Sequence, residues 1–465
     1  MMIRFIAVVI LLVAAAGGVL AGEIREMTDS FGPFGTLHIY QTEAQPKQVV
    51  LFISGDGGWN LGVVDMARSL AELDSMVVGI DITHYLRQLD SGSEKCSYPA
   101  AHFEALSQYL QKKHNFPQYI LPMLVGYSSG ATLVYTILAQ SPVNTFAGGI
   151  SMGFCPDLKT GKPMCRGSSM LTSTRDAKLG FIYRPVSTLA AKLYVLQGDI
   201  DQVCSTPDTK AFLDKVNNAE LVELAKVGHG FSVQKNWMPQ FREAFQRIAD
   251  AQQAQAVPAP RAAEVSDLPL VELPGNSDTL AVVVSGDGGW ASLDRQIAEA
   301  LNKDGIAVVG LNSLHYFWER KTPEVAGKDL ARILDHYGKL WRAKKFILVG
   351  YSQGADALPF MASRLPEELK SKVGVIALLG LEPEVDFEFH VADWLPGEGS
   401  GSYQVVPEVQ KLKGVKVLCI YGADESGSAC LSLNRNDFGI IEMTGGHHFG
   451  GDYERLANII LEHAR

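Results

Sequence analysis

Short runs of β-branched and other apolar residues alternate along the chain with longer segments whose apolar residues recur every three or four positions. In the C-terminal half the short runs lie at 280–285, 306–311, 346–349, 374–379 and 415–421. Segments with helical spacing, such as 292–303 and 325–342, lie between them. Continuous Val, Ile and Leu runs are typical of strands covered on both faces. The pattern therefore predicts an α/β fold in which a mostly parallel sheet is flanked by helices.

The pattern occurs twice, because the chain contains an internal duplication. Several blocks recur in the same order: SGDGGW at 54–59 and 285–290, GYSSGA and GYSQGA at 126–131 and 350–355, GHGF and GHHF at 228–231 and 446–449. A period of more than 200 residues means two copies of one domain rather than a solenoid. We therefore predict two tandem α/β-hydrolase-fold domains, since each copy also carries the serine motif described below.

The segment between the copies is rich in Ala, Gln and Pro and has no apolar periodicity. Its VPAP sequence at 257–260 interrupts any helix, and a segment of this composition is typical of a semi-rigid spacer. The prediction is an N-terminal domain at 23–248, a linker at 249–266 and a C-terminal domain at 267–465.

The first 22 residues have the pattern of an export signal. Arg4 precedes an apolar run that begins at Phe5, and the small residues around Ala21 fit a signal-peptidase site. We therefore predict a signal peptide at 1–21 and a periplasmic location. A retained membrane anchor is the alternative, because about 17 apolar residues is near the lower limit for a span.

Composition excludes some classes of protein. The chain has 465 residues, 47% hydrophobic and 20% charged, which is ordinary for a globular protein. The formal charge of −10 gives no basic surface for phosphate backbones, so we expect no nucleic-acid partner.

Six cysteines follow the export signal, and an oxidising compartment permits disulfides. Pairing neighbours in sequence gives Cys155–Cys165, Cys419–Cys430 and Cys96–Cys204. Six cysteines allow fifteen complete pairings, and buried free thiols are the alternative. The chain has no C-x-x-C motif or histidine cluster typical of a metal site, so we expect neither a metal nor a cofactor.

Ser352 is the strongest candidate for a catalytic group. It lies in GYSQG between the apolar run KFILV and an Ala- and Leu-rich segment with helical spacing. This strand, sharp turn and helix are the context of a nucleophile elbow, in which flanking glycines leave room for the turn. The helix N-terminus also favours developing negative charge.

A serine nucleophile needs a base, and the base needs an acid that orients it. In α/β-hydrolases the acid and then the histidine follow the serine along the chain, which favours Asp424 as the acid and His447 as the base. Glu425 is an alternative acid, because it aligns better with Asp201 of the first copy when counted from the preceding glycine. His448 is an alternative base.

The first copy retains the same three residue types: Ser128, His229 and either Asp201 or Asp199. Sequence alone does not decide which copy is active. The denser histidine loop of the second copy and its Asp356 favour the second.

Two further features lie near the candidate nucleophile. The SGDGGW turn is placed to supply an oxyanion donor from the backbone around Gly286 and Asp287, with the N–H of Gln353 as the other donor. A plain strand-to-helix turn is the alternative. Asp356 lies one helical turn beyond the serine and is a candidate site for a cationic substrate group; a favourable charge at a helix start is the alternative.

The motifs SGDGGW, GYSQGADALP and GGHHFGGDY resemble those of the VirJ/AcvB family of bacterial virulence proteins. The resemblance covers both copies, as in AcvB-like members, whereas VirJ-like members are similar to the second copy alone. It implies an α/β-hydrolase fold, export to the periplasm and hydrolysis of aminoacylated phosphatidylglycerol, with Ser352 as nucleophile, Asp424 as acid and His447 as base.

We therefore predict a periplasmic serine hydrolase that releases the amino acid from lysyl- or alanyl-phosphatidylglycerol, and that contacts a membrane surface transiently. A broader periplasmic esterase is one alternative. The other is a non-catalytic binding or virulence accessory protein with secretion-system proteins as partners, which the family's links to type IV secretion imply.

Overall fold

The computed structural model describes residues 23–256, 264–394 and 401–464. The predicted signal peptide and the VPAP sequence at 257–260 lie outside these residues. Within them, no helix combines the length and the apolar character needed to cross a bilayer.

The first copy consists of a large sheet with helices on both faces and a small additional sheet. Its strands are β1 Arg25–Ser30, β2 Thr36–Gln41, β3 Gln48–Ile53, β4 Ser75–Ile80, β5 Met123–Tyr127, β6 Gly148–Met152, β7 Asp157–Leu158, β8 Ser173–Asp176, β9 Gly180–Tyr183, β10 Thr188–Gly198 and β11 Asn217–Leu224. Its helices are α1 Leu61–Ala71, α2 Ile82–Ser91, α3 Pro99–Lys113, α4 Ser129–Gln140, α5 Thr206–Leu213 and α6 Met238–Ala256.

The second copy repeats this plan. Its strands are β12 Leu270–Leu273, β13 Thr279–Val284, β14 Ala307–Leu311, β15 Lys345–Tyr351, β16 Val373–Leu379, β17 Glu384–Val385, β18 Tyr403–Gln404, β19 Val417–Gly422 and β20 Gly439–Met443. Its helices are α7 Ser292–Lys303, α8 Ser313–Tyr316, α9 Pro323–Leu340, α10 Gln353–Ser363, α11 Glu367–Lys370, α12 Val405–Gln410 and α13 Tyr453–Ala464, with a short 3₁₀ helix at Val391–Trp394.

Both large sheets are mostly parallel, as predicted. The first has the order β1-β2-β4-β3-β5-β6-β10-β11, and β2 pairs antiparallel with both β1 and β4. The second has the order β12-β14-β13-β15-β16-β19-β20, with β12 antiparallel to β14. The five apolar runs predicted in the second copy correspond to β13, β14, β15, β16 and β19. The half-exposed edge strand β20 lacks a continuous apolar run, which is why the pattern did not reveal it.

The order of the strands also determines where a ligand can bind. After β3 the chain passes to β4 on one side and then to β5 on the other, and β13, β14 and β15 repeat this reversal. In open α/β sheets the crevice beyond the carboxyl ends of such neighbouring strands is the usual site for ligands. The SGDGGW turns and the serine motifs follow these strands, so the topology brings them together in each copy.

The two copies share one hydrophobic layer. Each sheet has a core of its own on one face, whereas the buried residues of the opposite faces form a single cluster that contains side chains of both copies. Trp318 lies at this contact: its Nε1 donates a hydrogen bond to the Phe116 carbonyl at 2.7 Å, and its own carbonyl accepts one from Lys112 Nζ at 2.7 Å. Nearby, Trp394 Nε1 donates to Gln108 Oε1 at 3.0 Å. Helix α3 of the first copy is therefore packed against the second.

The end of the first domain differs from the predicted boundary. Helix α6 continues to Ala256 and so includes eight residues that were predicted to belong to the linker. Residues 249–256 have few apolar side chains because this end of the helix buries little surface, and for that reason their composition resembled a linker. At the other end of the predicted linker, Val265 is fully buried and belongs to the shared core.

All six cysteines are bonded, and the pairing differs from the sequence-neighbour arrangement in the first copy. The disulfides are Cys96–Cys165, Cys155–Cys204 and Cys419–Cys430. The prediction of Cys155–Cys165 and Cys96–Cys204 was wrong, because the segment at Cys165 pairs with the backbone next to Cys96, whereas Cys155 faces the loop after β10. Three disulfides indicate an oxidising compartment.

Candidate active sites

Each candidate nucleophile sits on a strained turn between a strand and a helix. Ser352 has φ 50° and ψ −123°, and Ser128 has φ 55° and ψ −120°, in a region that non-glycine residues rarely adopt. The flanking glycines are required for close packing, since a Cβ on Gly350 would lie 2.4 Å from the carbonyl oxygen of Gly354. Both turns are therefore nucleophile elbows.

The SGDGGW turn lies beside the elbow of the second copy. A Cβ on Gly286 would come within 3.5 Å of Ser352 Cβ. The backbone N–H groups of Asp287 and Gln353 donate no hydrogen bond within the described residues, which leaves both for an oxyanion. The N–H of Gly286 instead faces the buried carboxyl group of Asp294. Of the three residues predicted to supply oxyanion donors, Asp287 and Gln353 therefore have a backbone N–H that is available, and Gly286 does not.

The first copy holds a connected serine, histidine and acid. Ser128 Oγ lies 3.0 Å from His229 Nε2, and His229 Nδ1 lies 2.9 Å from Asp201 Oδ2. The Asp201 side chain is fully buried, and its other oxygen accepts two backbone N–H groups of the following loop. Asp199, the alternative acid, instead accepts a hydrogen bond from the backbone of Lys226. The carboxyl group beside His229 is therefore that of Asp201.

In the second copy the acid beside the histidine is Glu425, which corrects the preferred assignment of Asp424. His447 Nδ1 lies 2.5 Å from Glu425 Oε1, and Glu425 Oε2 accepts the Gly422 N–H at 2.6 Å. Asp424 is exposed. The physical reason is position in the loop: the acid is the third residue after the glycine that ends the strand, as in the first copy.

A tyrosine before each serine holds the histidine loop in place. Tyr351 OH lies 3.1 Å from His448 Nδ1 and donates to the His447 carbonyl at 3.3 Å. Tyr127 OH donates to the His229 carbonyl at 2.9 Å in the first copy. His448 is thus paired with tyrosine rather than with the acid, and burial lowers its pKa. These tyrosines were not among the residues predicted from the sequence, although Tyr precedes Ser in both motifs.

The two sites differ in the contact between serine and histidine. Within the described residues, Ser352 makes no hydrogen bond to His447, although both side chains line one cavity. The His447 side chain is 33% exposed, compared with 16% for His229. Catalytic hydrogen bonds are often long before substrate binds, so the arrangement in the second copy is compatible with proton transfer.

The cavity at Ser352 lies between the two copies and has a volume of about 910 Å³. Ser352, Tyr351 and His447 line it from the second copy. Helix α3 and the segments after α4 line it from the first. The first copy therefore forms part of the wall of the second copy's candidate active site.

Two groups of side chains have spacings that a metal ion could use. One contains His447, Glu425 and Glu382, and the other contains His229, Asp201 and Cys204. The Cys204 sulfur is bonded to Cys155. The histidine–acid hydrogen bond accounts for the proximity of two members in each group, and these two fit the proton-transfer role described above.

Asp356 does not lie where the sequence placed it. Its side chain is 4% exposed beneath the elbow helix, its Oδ1 accepts the backbone N–H of Glu382 at 2.7 Å, and it does not line the cavity. Burial raises its pKa well above the usual value. The proposed contact with a cationic substrate group is therefore wrong for Asp356, because its position on the first turn of α10 faces the protein interior.

Replacing Asp356 tests this structural role. We expect Asp356→Ala to lower the free energy of unfolding by about 1–3 kcal/mol, because the Glu382 N–H loses its acceptor in a partly buried setting. Asp356→Asn keeps an oxygen acceptor and should retain most of the stability. Urea denaturation of the three proteins measures the difference, and equal stability of the wild type and the alanine variant would contradict the role.

The elbows, the order of serine, acid and histidine, and the largely parallel sheets define an α/β-hydrolase. More narrowly, the chain belongs to the family described as bacterial virulence protein (VirJ), whose family model matches residues 47–147 and 278–465. No curated protein matches the chain significantly.

Among solved structures, the chain is similar to single α/β-hydrolase domains. A candidate dienelactone hydrolase from Klebsiella pneumoniae is 12% identical, with a TM-score of 0.36, over 50% of this chain and 99% of that one. An α/β serine hydrolase homologue from Coxiella burnetii is 17% identical, with a TM-score of 0.31, over 50% and 99%. An α/β serine hydrolase without a lid from Xanthomonas campestris is 17% identical, with a TM-score of 0.31, over 53% and 100%.

Proposed function

We propose that the protein is a periplasmic serine hydrolase that cleaves the aminoacyl ester of aminoacyl-phosphatidylglycerol, releasing the amino acid and phosphatidylglycerol. One observation carries the hydrolase assignment: Ser352 on its elbow and the hydrogen-bonded pair His447–Glu425 meet at one cavity. The resemblance to aminoacyl-phosphatidylglycerol hydrolases supports the choice of substrate, and the three disulfides support a periplasmic location.

The geometry supports a two-step acyl transfer. Ser352 Oγ attacks the ester carbonyl while His447 Nε2 takes the serine proton, and Glu425 stabilises the imidazolium through Nδ1. The N–H groups of Asp287 and Gln353 stabilise the oxyanion. The glycerol oxygen leaves with the proton from His447, and the acyl group remains on Ser352. Water, deprotonated by His447, then releases the amino acid and regenerates the serine.

The lining of the cavity supports an aminoacyl group. Among the described residues that line it there is no lysine or arginine, whereas three carboxyl groups do line it, so the lining does not favour a phosphate group. We therefore place the acyl group inside the cavity and the lipid phosphate outside it. Because the other product stays in the bilayer, the mouth of the cavity must approach a membrane surface during turnover.

The test is amino-acid release from lysyl- and alanyl-phosphatidylglycerol in mixed micelles, with Ser352→Ala as the blank. We expect the wild type to produce free amino acid and phosphatidylglycerol in equal amounts, measured by chromatography and mass spectrometry. If Ser352 hydrolyses a generic ester but no amino acid is released from the lipids, the proposed lipid substrate is wrong and the protein is an esterase of another specificity. Turnover of no ester at all would favour a binding protein.

A further inference from the structure

Helix α3 of the first copy presents a carboxylate to the candidate active site of the second. Glu104 Oε1 lies 3.6 Å from the point that a Cβ on Gly288 would occupy. A Cβ on Gly286, two residues earlier in the same turn, would lie 3.5 Å from Ser352 Cβ. One turn is therefore close to both Glu104 and the nucleophile. Within the described residues the Glu104 carboxylate has no hydrogen-bond donor and no cation within ion-pair distance.

Two more carboxyl groups, those of Asp287 and Asp294, line the same cavity. Asp294 is 1% exposed, and its Oδ1 has no hydrogen-bond partner within the described residues. The equivalent position of the first copy, 231 residues earlier, is the buried Val63. The Asp294 carboxyl group interacts with its own backbone N–H group and those of Ala291 and Gly286, and Oδ1 is the oxygen left without a hydrogen bond among the described residues. Its unpaired oxygen beside the cavity therefore indicates a ligand with a positive charge or a donor.

Aromatic rings complete the walls of this part of the cavity. They are those of Tyr98, Tyr351, Trp394 and Tyr453. Aromatic side chains and carboxyl groups, with no lysine or arginine among the described lining residues, are a combination that can bind alkylammonium groups through cation–π contacts and charge-assisted hydrogen bonds. Burial, with a smaller contribution from Asp287, raises the pKa of Glu104 to about 8, and a bound ammonium group would lower it again, so that Glu104 binds the ligand as a carboxylate.

We propose that Glu104, Asp287 and Asp294 form a binding site for the ammonium of a cationic acyl group, so that the first copy contributes directly to substrate selection by the second. This inference rests on the proposed function, because it assumes that the acyl group on Ser352 carries the ammonium. It goes further in assigning recognition of that group to a residue of the other copy.

The test compares two soluble esters of the same shape on the full-length protein. Alanine ethyl ester carries an ammonium, and ethyl isobutyrate has a methyl group in its place. At about pH 6.5 the amino group is largely protonated. We expect the wild type to prefer the alanine ester, and Glu104→Gln to lower the ratio of the two kcat/KM values by about tenfold or more, mainly through KM, as for loss of a charged hydrogen bond.

Asp65→Asn is the matched control, because it removes one exposed acidic charge on α1 of the same copy, away from the cavity. It should leave the ratio unchanged. A ratio that is unchanged in a Glu104→Gln protein with the melting temperature of the wild type would overturn the proposal. So would a wild type that shows no preference between the two esters.

A second measurement needs no variant. Alaninamide should inhibit hydrolysis of ethyl isobutyrate at least about tenfold more strongly than its neutral isostere isobutyramide. Inhibition and thermal stabilisation by calcium chloride, without inhibition by alaninamide, would show that the carboxylates hold a metal ion and would overturn the proposal. A different result is that Glu104 affects the choice between the two esters but no amino acid is released from aminoacyl-phosphatidylglycerol. That result would contradict the proposed lipid substrate and would still support the ammonium site.

Discussion

Ser352→Ala is expected to lower kcat for amino-acid release by at least about a thousandfold, the scale of loss seen when a triad nucleophile is removed. The same hydroxyl supplies the bond to the acyl group and the proton that His447 accepts, and an alanine offers neither. Substrate binding should change little, because the side chain is small and the cavity walls remain. The measurement is single-turnover release from alanyl-phosphatidylglycerol, with circular dichroism to show that the variant is folded.

Ser128→Ala is the informative partner of this variant, because it removes the equivalent hydroxyl from the other copy. Ser128 is already hydrogen-bonded to His229, so contact geometry alone would favour the first site. The large cavity lined by Ser352 favours the second. We expect Ser128→Ala to keep release within about threefold of the wild type, since a change far from the reacting atoms has little effect on the barrier. Loss of release in Ser128→Ala but not in Ser352→Ala would assign the reaction to the first copy.

Glu425→Gln is expected to lower kcat by about 10³–10⁴-fold, as when a triad acid is replaced by its amide. The amide cannot stabilise the imidazolium, and its NH₂ group favours the tautomer of His447 that cannot accept the serine proton. The neighbouring variant Asp424→Asn is a close control, because it removes the same charge from an exposed side chain one residue away. It should change kcat by no more than about twofold, as is usual for surface substitutions.

Hydrolysis of a generic ester is sufficient for this comparison, so its result does not depend on the lipid substrate. A large loss in Asp424→Asn together with normal turnover in Glu425→Gln would restore the acid that the sequence favoured. Equal, small effects of both variants would show that His447 works without an orienting carboxylate.

Much of each candidate site could be predicted from the sequence, because the information is local. Ser352 is flanked by its two glycines, follows an apolar run and precedes a helical segment, so the elbow is encoded in a dozen neighbouring residues. The choice between Asp424 and Glu425 was harder. It depends on the path of a loop in which adjacent side chains point in different directions, and sequence order does not fix that path. Comparison with the first copy pointed to Glu425, but the order of serine, acid and histidine is satisfied equally by Asp424.

Contacts between distant segments were beyond the sequence analysis. Cys155 and Cys204 are 49 residues apart and meet because β6 and β10 are neighbours in the sheet. The part played by α3 depends on contacts such as Gln108 with Trp394, which are 286 residues apart. No periodicity within either copy indicates which face will pack against the other copy. For the same reason, no pattern in the sequence indicated that Glu104 lies beside the cavity of the second copy.

The apolar layer that joins the two sheets has a consequence for the evolution of the duplicated chain. A duplicate usually becomes free to diverge or to be lost, because the original continues to do the work. Here the removal of the first copy would expose the apolar face of its neighbour and open the Ser352 cavity to bulk water. Selection can therefore relax on the chemistry of Ser128 while it continues to preserve the surface that surrounds α3. The first copy can then persist as a structural support even if its own reaction is lost.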